Sequence, residues 1–101
     1  MRKFDTIKIL GKTKEDQIVL KGYDICDFNN TYGLPLEYIL QYLKYNNCIV
    51  EWVTFIIKAN ELGWNINKTL SKIEYALKDV YDEIYADTII KRLYKKFEFK
   101  F

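Results

Sequence analysis

The chain has 101 residues, half of them hydrophobic and 30% charged, with a formal net charge of +2 and no histidine. That length predicts one domain able to bury a core, and the apolar fraction excludes disorder. The missing histidine excludes Ser-His-Asp and Cys-His nucleophile pairs, His-ligated zinc and imidazole acid–base chemistry.

In chain order, Phe4–Leu10 and Asp16–Tyr23 are rich in strand formers and are separated by polar Gly11-Lys12-Thr13-Lys14-Glu15. This pattern predicts a β-hairpin. Asp27-Phe28-Asn29-Asn30-Thr31-Tyr32-Gly33 concentrates turn formers and reads as a loop. Pro35 suits the first turn of a helix, and Leu36, Ile39, Leu40 and Leu43 follow at helical spacing until Asn46-Asn47.

Cys48–Ile57 is a nearly continuous apolar run that suits a buried strand or a buried helix. Val50 and Phe55 at hydrophobic-staple spacing, the stripe Trp52, Val53, Ile56, Ala59, Leu62, and a stop at Gly63 favour a helix from about Glu51. Asn67 is placed to cap a third helix with Leu70, Ile73, Leu77 and Val80 inward. A fourth, from about Ala86 to Phe97, turns Ile89, Ile90, Leu93 and Phe97 inward. The tail Phe97-Glu98-Phe99-Lys100-Phe101 alternates with strand periodicity and could join the hairpin as a third strand. The expected fold is therefore α+β: an N-terminal β-hairpin, with or without the C-terminal strand, packed on three to four helices.

No apolar run of transmembrane length occurs, and the N-terminus lacks a signal-peptide core. Cys26 and Cys48 belong to no CxxC motif and read as buried thiols, so a cytoplasmic location is expected. Gly11-Lys12-Thr13 imitates the end of a phosphate-binding loop. That loop needs a glycine five residues earlier, where Thr6 stands, so the tripeptide reads as a turn. Asp79, Asp82, Glu83 and Asp87 could crowd around a hard cation if one helix carried them all. The simpler reading is an acidic helix end followed by an acidic helix start. No cofactor or metal is expected, and no catalytic residue is assigned.

Two surfaces remain as binding candidates. Tyr38, Tyr42 and Tyr45 share one helical face beside the Leu36–Leu43 stripe. Phe99 and Phe101 in the tail could pair with another chain, as a homodimer or with a larger protein. The alternative partner is nucleic acid. It would be contacted by a helix-turn-helix-like pair over residues 52–77, with Lys68 and Lys72, and by the basic helix face Lys91, Arg92, Lys95 and Lys96. Fourteen of the sixteen basic residues are lysine, a poor match to base reading, where arginine dominates. The leading expectation is thus a small non-catalytic module that binds a larger protein as an inhibitor or adaptor, without membrane contact.

The stretch Asn30-Thr31-Tyr32-Gly33-Leu34-Pro35-Leu36-Glu37 resembles the TYGFP-L segment of alanyl-tRNA synthetases, with Leu34 in place of the usual Phe. The likeness continues to about Glu61 and implies a borrowed helical piece without the activity. The chain is too short for the aminoacylation core and lacks the histidines of the editing motif. The Lys-over-Arg usage and the many Asn, Ile and Tyr residues also resemble small accessory proteins of AT-rich bacteria or their phages. Proteins of that kind block or bridge larger host proteins.

Overall fold

A computed structural model describes residues 6–97. Strand β1 (Ile9–Lys12) pairs antiparallel with β2 (Ile18–Lys21), and a bulge interrupts the register between Ile9 and Gly11. The hairpin therefore forms, but its first strand lies later than expected. Gly11 and Lys12 belong to the strand, and the turn is carried by Thr13–Gln17, closed by the Thr13 N–H donating to the Gln17 carbonyl at 2.9 Å.

The segment expected to be a loop is helix α1 (Gly22–Tyr32). Its turn formers Asp27, Asn30 and Thr31 sit on the exposed side, while Ile25, Cys26, Phe28 and Asn29 are buried at helical spacing. Burying that stripe outweighs the weak local preference of Asn and Asp for turns, a few tenths of a kcal/mol each, roughly. The helix ends at Gly33, whose φ of 64° is left-handed and whose N–H donates to the Asn29 carbonyl at 3.0 Å.

Pro35 stands just before α2 (Leu36–Tyr45), which buries Leu36, Ile39, Leu40 and Leu43 as the spacing predicts. Asn46 and left-handed Asn47 end it, at φ 57° for the latter. The ambiguous apolar run then divides. Cys48–Glu51 is strand β3, parallel to β2 with Leu20 opposite Val50, and only from Trp52 does the chain become α3 (Trp52–Glu61). Helical spacing from Trp52 onward masked four residues whose partner is a strand thirty residues earlier. The sheet order is β1-β2-β3, so the third strand is internal to the sequence. The strand predicted over 97–101 lies outside the described residues.

Because β2 and β3 are parallel, α1 and α3 leave the same end of the sheet. One carboxylate serves both starts. Glu51 accepts from the Thr54 N–H at 2.8 Å, from the Gly22 N–H at 3.3 Å and from the Thr54 hydroxyl. Thr54 Oγ1 in turn accepts from the Tyr23 N–H at 2.9 Å. A carboxylate between two helix N-termini satisfies orphan donors and opposes both dipoles.

Helix α4 (Ile66–Val80) is capped by Asn65, not Asn67. The Asn65 side-chain oxygen accepts from the N–H groups of Asn67 at 2.9 Å and Lys68 at 3.2 Å, so Asn67 is already inside the first turn. Leu70, Ile73, Leu77 and Val80 are buried, as predicted. Helix α5 (Glu83–Phe97) starts three residues before its expected position, because Asp82 accepts from the Tyr85 N–H at 2.7 Å and caps it. The architecture is α+β: among the described residues, a three-stranded sheet on the N-terminal side with five helices, their inner faces meeting in one hydrophobic cluster centred on Phe55, Ile25, Leu36, Ile39 and Ile73.

Candidate functional site

Helix α2 holds the three predicted tyrosines on one side, but unequally. Tyr42 is half-buried against the core, whereas Tyr38 is 53% and Tyr45 90% exposed. The Leu36–Leu43 stripe is inward on the same helix, so rotation of α2 cannot bury Tyr38 and Tyr45 without withdrawing leucines from the core. Two large amphipathic rings are therefore held outside by packing that is otherwise complete. The predicted partners Phe99 and Phe101 lie outside the described residues.

A further apolar surface escapes sequence reasoning. All four residues of β1 are exposed, and among the described residues no strand covers its outer edge. Ile9 and Leu10 look like core residues by type. Their position outside follows from β1 being a sheet edge, which hydropathy cannot reveal.

The six basic residues of the alternative reading are distributed over different places. Lys91 is engaged within its helix, 3.0 Å from Asp87. Arg92 and Lys96 rim a cavity of about 210 Å³ floored by Trp52, Val53, Ile89 and Leu93. Lys95 is exposed. Lys68 and Lys72 line a separate groove beside Trp64 and Asn65, where α3 gives way to α4. Lys72 is tied down in it: its Nζ donates to Asn29 Oδ1 at 2.9 Å and lies 4.5 Å from the centre of the Trp64 ring. Trp64 is half-buried against the core and walls this groove.

The acidic set is broken by the chain itself. Asp79 belongs to α4, Asp82 lies between the helices as a cap, and Glu83 and Asp87 belong to α5. Among the described residues no group of three or more His, Cys, Asp or Glu side chains could hold a metal ion. Nor, among them, is any helix long and apolar enough to cross a membrane. The thiols of Cys26 and Cys48 are free, and burial pushes Cys26 up to about 11, away from nucleophilic reactivity at neutral pH.

Where α4 meets α5, Tyr81 stacks on Tyr85 with ring centres 4.5 Å apart, and the Lys44 ammonium lies 5.1 Å from the Tyr81 ring. Lys44 also donates to the Val80 carbonyl at 2.9 Å, fastening α2 to the end of α4. Burial, with Tyr85 and Cys48 nearby, pushes the Tyr81 hydroxyl up to about 12. The unfolded chain releases this proton near its ordinary value of about 10, while the folded chain keeps it. Tyr81 therefore contributes stability that is fully present below about pH 10 and is lost as pH rises toward about 12. Melting temperatures followed from about pH 9 to 11 should fall more steeply for the wild type than for Tyr81→Phe, and parallel curves would refute this.

The resembling segment spans the end of α1, the left-handed Gly33 and the start of α2, then runs through β3 into α3. Comparison with known proteins adds no identity: no family model, no curated protein and no solved structure matches this chain.

Proposed function

We propose that this chain is a small non-catalytic binding module that acts on a larger protein, as an inhibitor or adaptor, through the tyrosine face of α2. The observation that carries this reading is the exposure of Tyr38 and Tyr45 on a helix whose opposite side is fully packed. Tyrosine buries a large area with little loss of rotamer entropy and keeps a polar handle, which is why it is enriched at protein interfaces. Two free thiols suit a reducing compartment, which favours a partner in the cytoplasm. The chemistry available elsewhere is thin: histidine is absent, the acidic residues are dispersed, and the cysteines are held as thiols.

The test is affinity capture from the native host with the wild type and with Tyr38→Asp/Tyr45→Asp, matched for circular dichroism. Both positions are exposed, so the variant is expected to fold and to lose its bound protein by at least about tenfold, as removal of interface hot spots does. Identical captured sets from the two proteins would overturn the proposal.

A further inference from the structure

The groove at the start of α4 lies apart from the tyrosine face and has a chemistry of its own. Its volume is about 460 Å³, within the range of small-molecule sites, and its walls are Gly63, Trp64, Asn65, Lys68, Thr69 and Lys72. The lining thus offers two ammonium groups and an indole, and no carboxylate. Lys68 and Lys72 are four residues apart on one helix, hence neighbours along one flank. Among the described residues neither has a carboxylate partner within ion-pair distance.

Lys72 is the unusual member. It is half-buried, yet its polar partner is the neutral amide of Asn29, itself buried and committed through its NH2 group to the Leu34 carbonyl. An ammonium has three donors, and Asn29 takes one. Partial burial with no counter-charge is unfavourable and would be relieved by an anion entering the groove. The neighbouring hydroxyl does not compete, because Thr69 Oγ1 donates to the Asn65 carbonyl at 2.9 Å. Two cations call for an anionic ligand with several acceptor oxygens, which a phosphate monoester or diester offers to both ammonium groups at once. The groove is larger than a phosphate ion requires, and the indole offers an apolar wall for the remainder of the ligand.

We propose that this groove binds an organic phosphate, with its phosphoryl oxygens between the Lys68 and Lys72 ammonium groups and its apolar part along Trp64. The phosphate could belong to a free small molecule or to a nucleic-acid strand, and the ligand chemistry at the lysines is the same. The full chain is titrated with adenosine 5′-monophosphate, with adenosine, and with a single-stranded oligonucleotide, while the two indole N–H resonances are followed by NMR. The monophosphate should shift the Trp64 resonance saturably, leave Trp52 in place, and bind at least about tenfold more tightly than adenosine. Lys68→Glu, at an exposed position, should keep the melting temperature and weaken monophosphate binding by a similar factor. An oligonucleotide that binds more tightly than the mononucleotide, with steep salt dependence, identifies a strand as the source; equal or weaker binding identifies a free phosphate. No Trp64 shift, equal response to adenosine, or an unchanged Lys68→Glu titration overturns the proposal.

Discussion

Gly22→Ala is expected to destabilise the protein by about 3 kcal/mol or more, a large share of the stability of a domain this size. A Cβ placed at Gly22 would lie 1.8 Å from the Glu51 carbonyl oxygen and 2.7 Å from the Phe55 backbone nitrogen. Both obstacles are backbone, so no side chain can swing aside. Relief requires α1 to move off the β3–α3 junction, which would break the Gly22 N–H donation to Glu51 and the Tyr23 N–H donation to Thr54. Ordinarily alanine is the better helix former by about 1 kcal/mol, so a large loss isolates the steric term from propensity. Urea unfolding of Gly22→Ala beside Asn30→Ala, an exposed site on the same helix, gives the measurement. A Gly22→Ala unfolding free energy within about 1 kcal/mol of wild type would show that the two helix starts are not in contact in solution.

The second large effect is expected at Phe55, which is fully buried at the centre of the core. Its ring meets Trp52 edge-on, with centres 5.1 Å apart and planes at 64°. Phe55→Ala removes most of that ring's contacts and leaves a cavity that the surrounding α1, β3 and α3 backbones cannot close, at a cost of about 3–5 kcal/mol. For a chain of this size each kcal/mol lowers the melting temperature by roughly 4–8 °C, so a fall of at least about 12 °C is expected. Phe55→Leu keeps much of the volume and should cost no more than about 1.5 kcal/mol. Calorimetric scans of the two variants would refute this placement of the core if alanine and leucine behaved alike.

Both effects converge on the junction that sequence reasoning read least well. The hydrophobic spacing of α2, α4 and α5 was legible because each stripe is local: Leu36, Ile39, Leu40, Leu43 or Leu70, Ile73, Leu77, Val80 repeat within one element. The start of α3 was legible too, since Glu51 caps it and Val50 with Phe55 stands at staple spacing. Helix α1 was obscured by Asp27, Asn29 and Asn30, whose turn preference is local and small beside the burial of Ile25, Cys26 and Phe28. Strand β3 was hidden for a different reason. Four residues carry too little periodicity to announce a strand, and their parallel partner β2 is separated from them by two helices.

The candidate sites divide in the same manner. Tyr38, Tyr42 and Tyr45 could be grouped from spacing alone, whereas the exposure of Tyr38 and Tyr45 is set by the packing of the core. The Trp64 groove could not be anticipated, because Trp64 by itself resembles a core residue. Its character depends on Lys72 and on Asn29, which lies 43 positions earlier in the chain.

From composition alone, the absence of histidine removes every imidazole mechanism, and the near-even charge total names no partner. From periodicity alone come the α+β class, four of the helices and the tyrosine face, because each depends on contacts within a few residues. Only the tertiary structure decides the third strand, the identity of α1, the outward position of Ile9 and Leu10, and the pairing of Lys72 with Asn29 and Trp64. These depend on which distant segments come together. That choice is made by the burial of one shared core, and no short window of sequence records it.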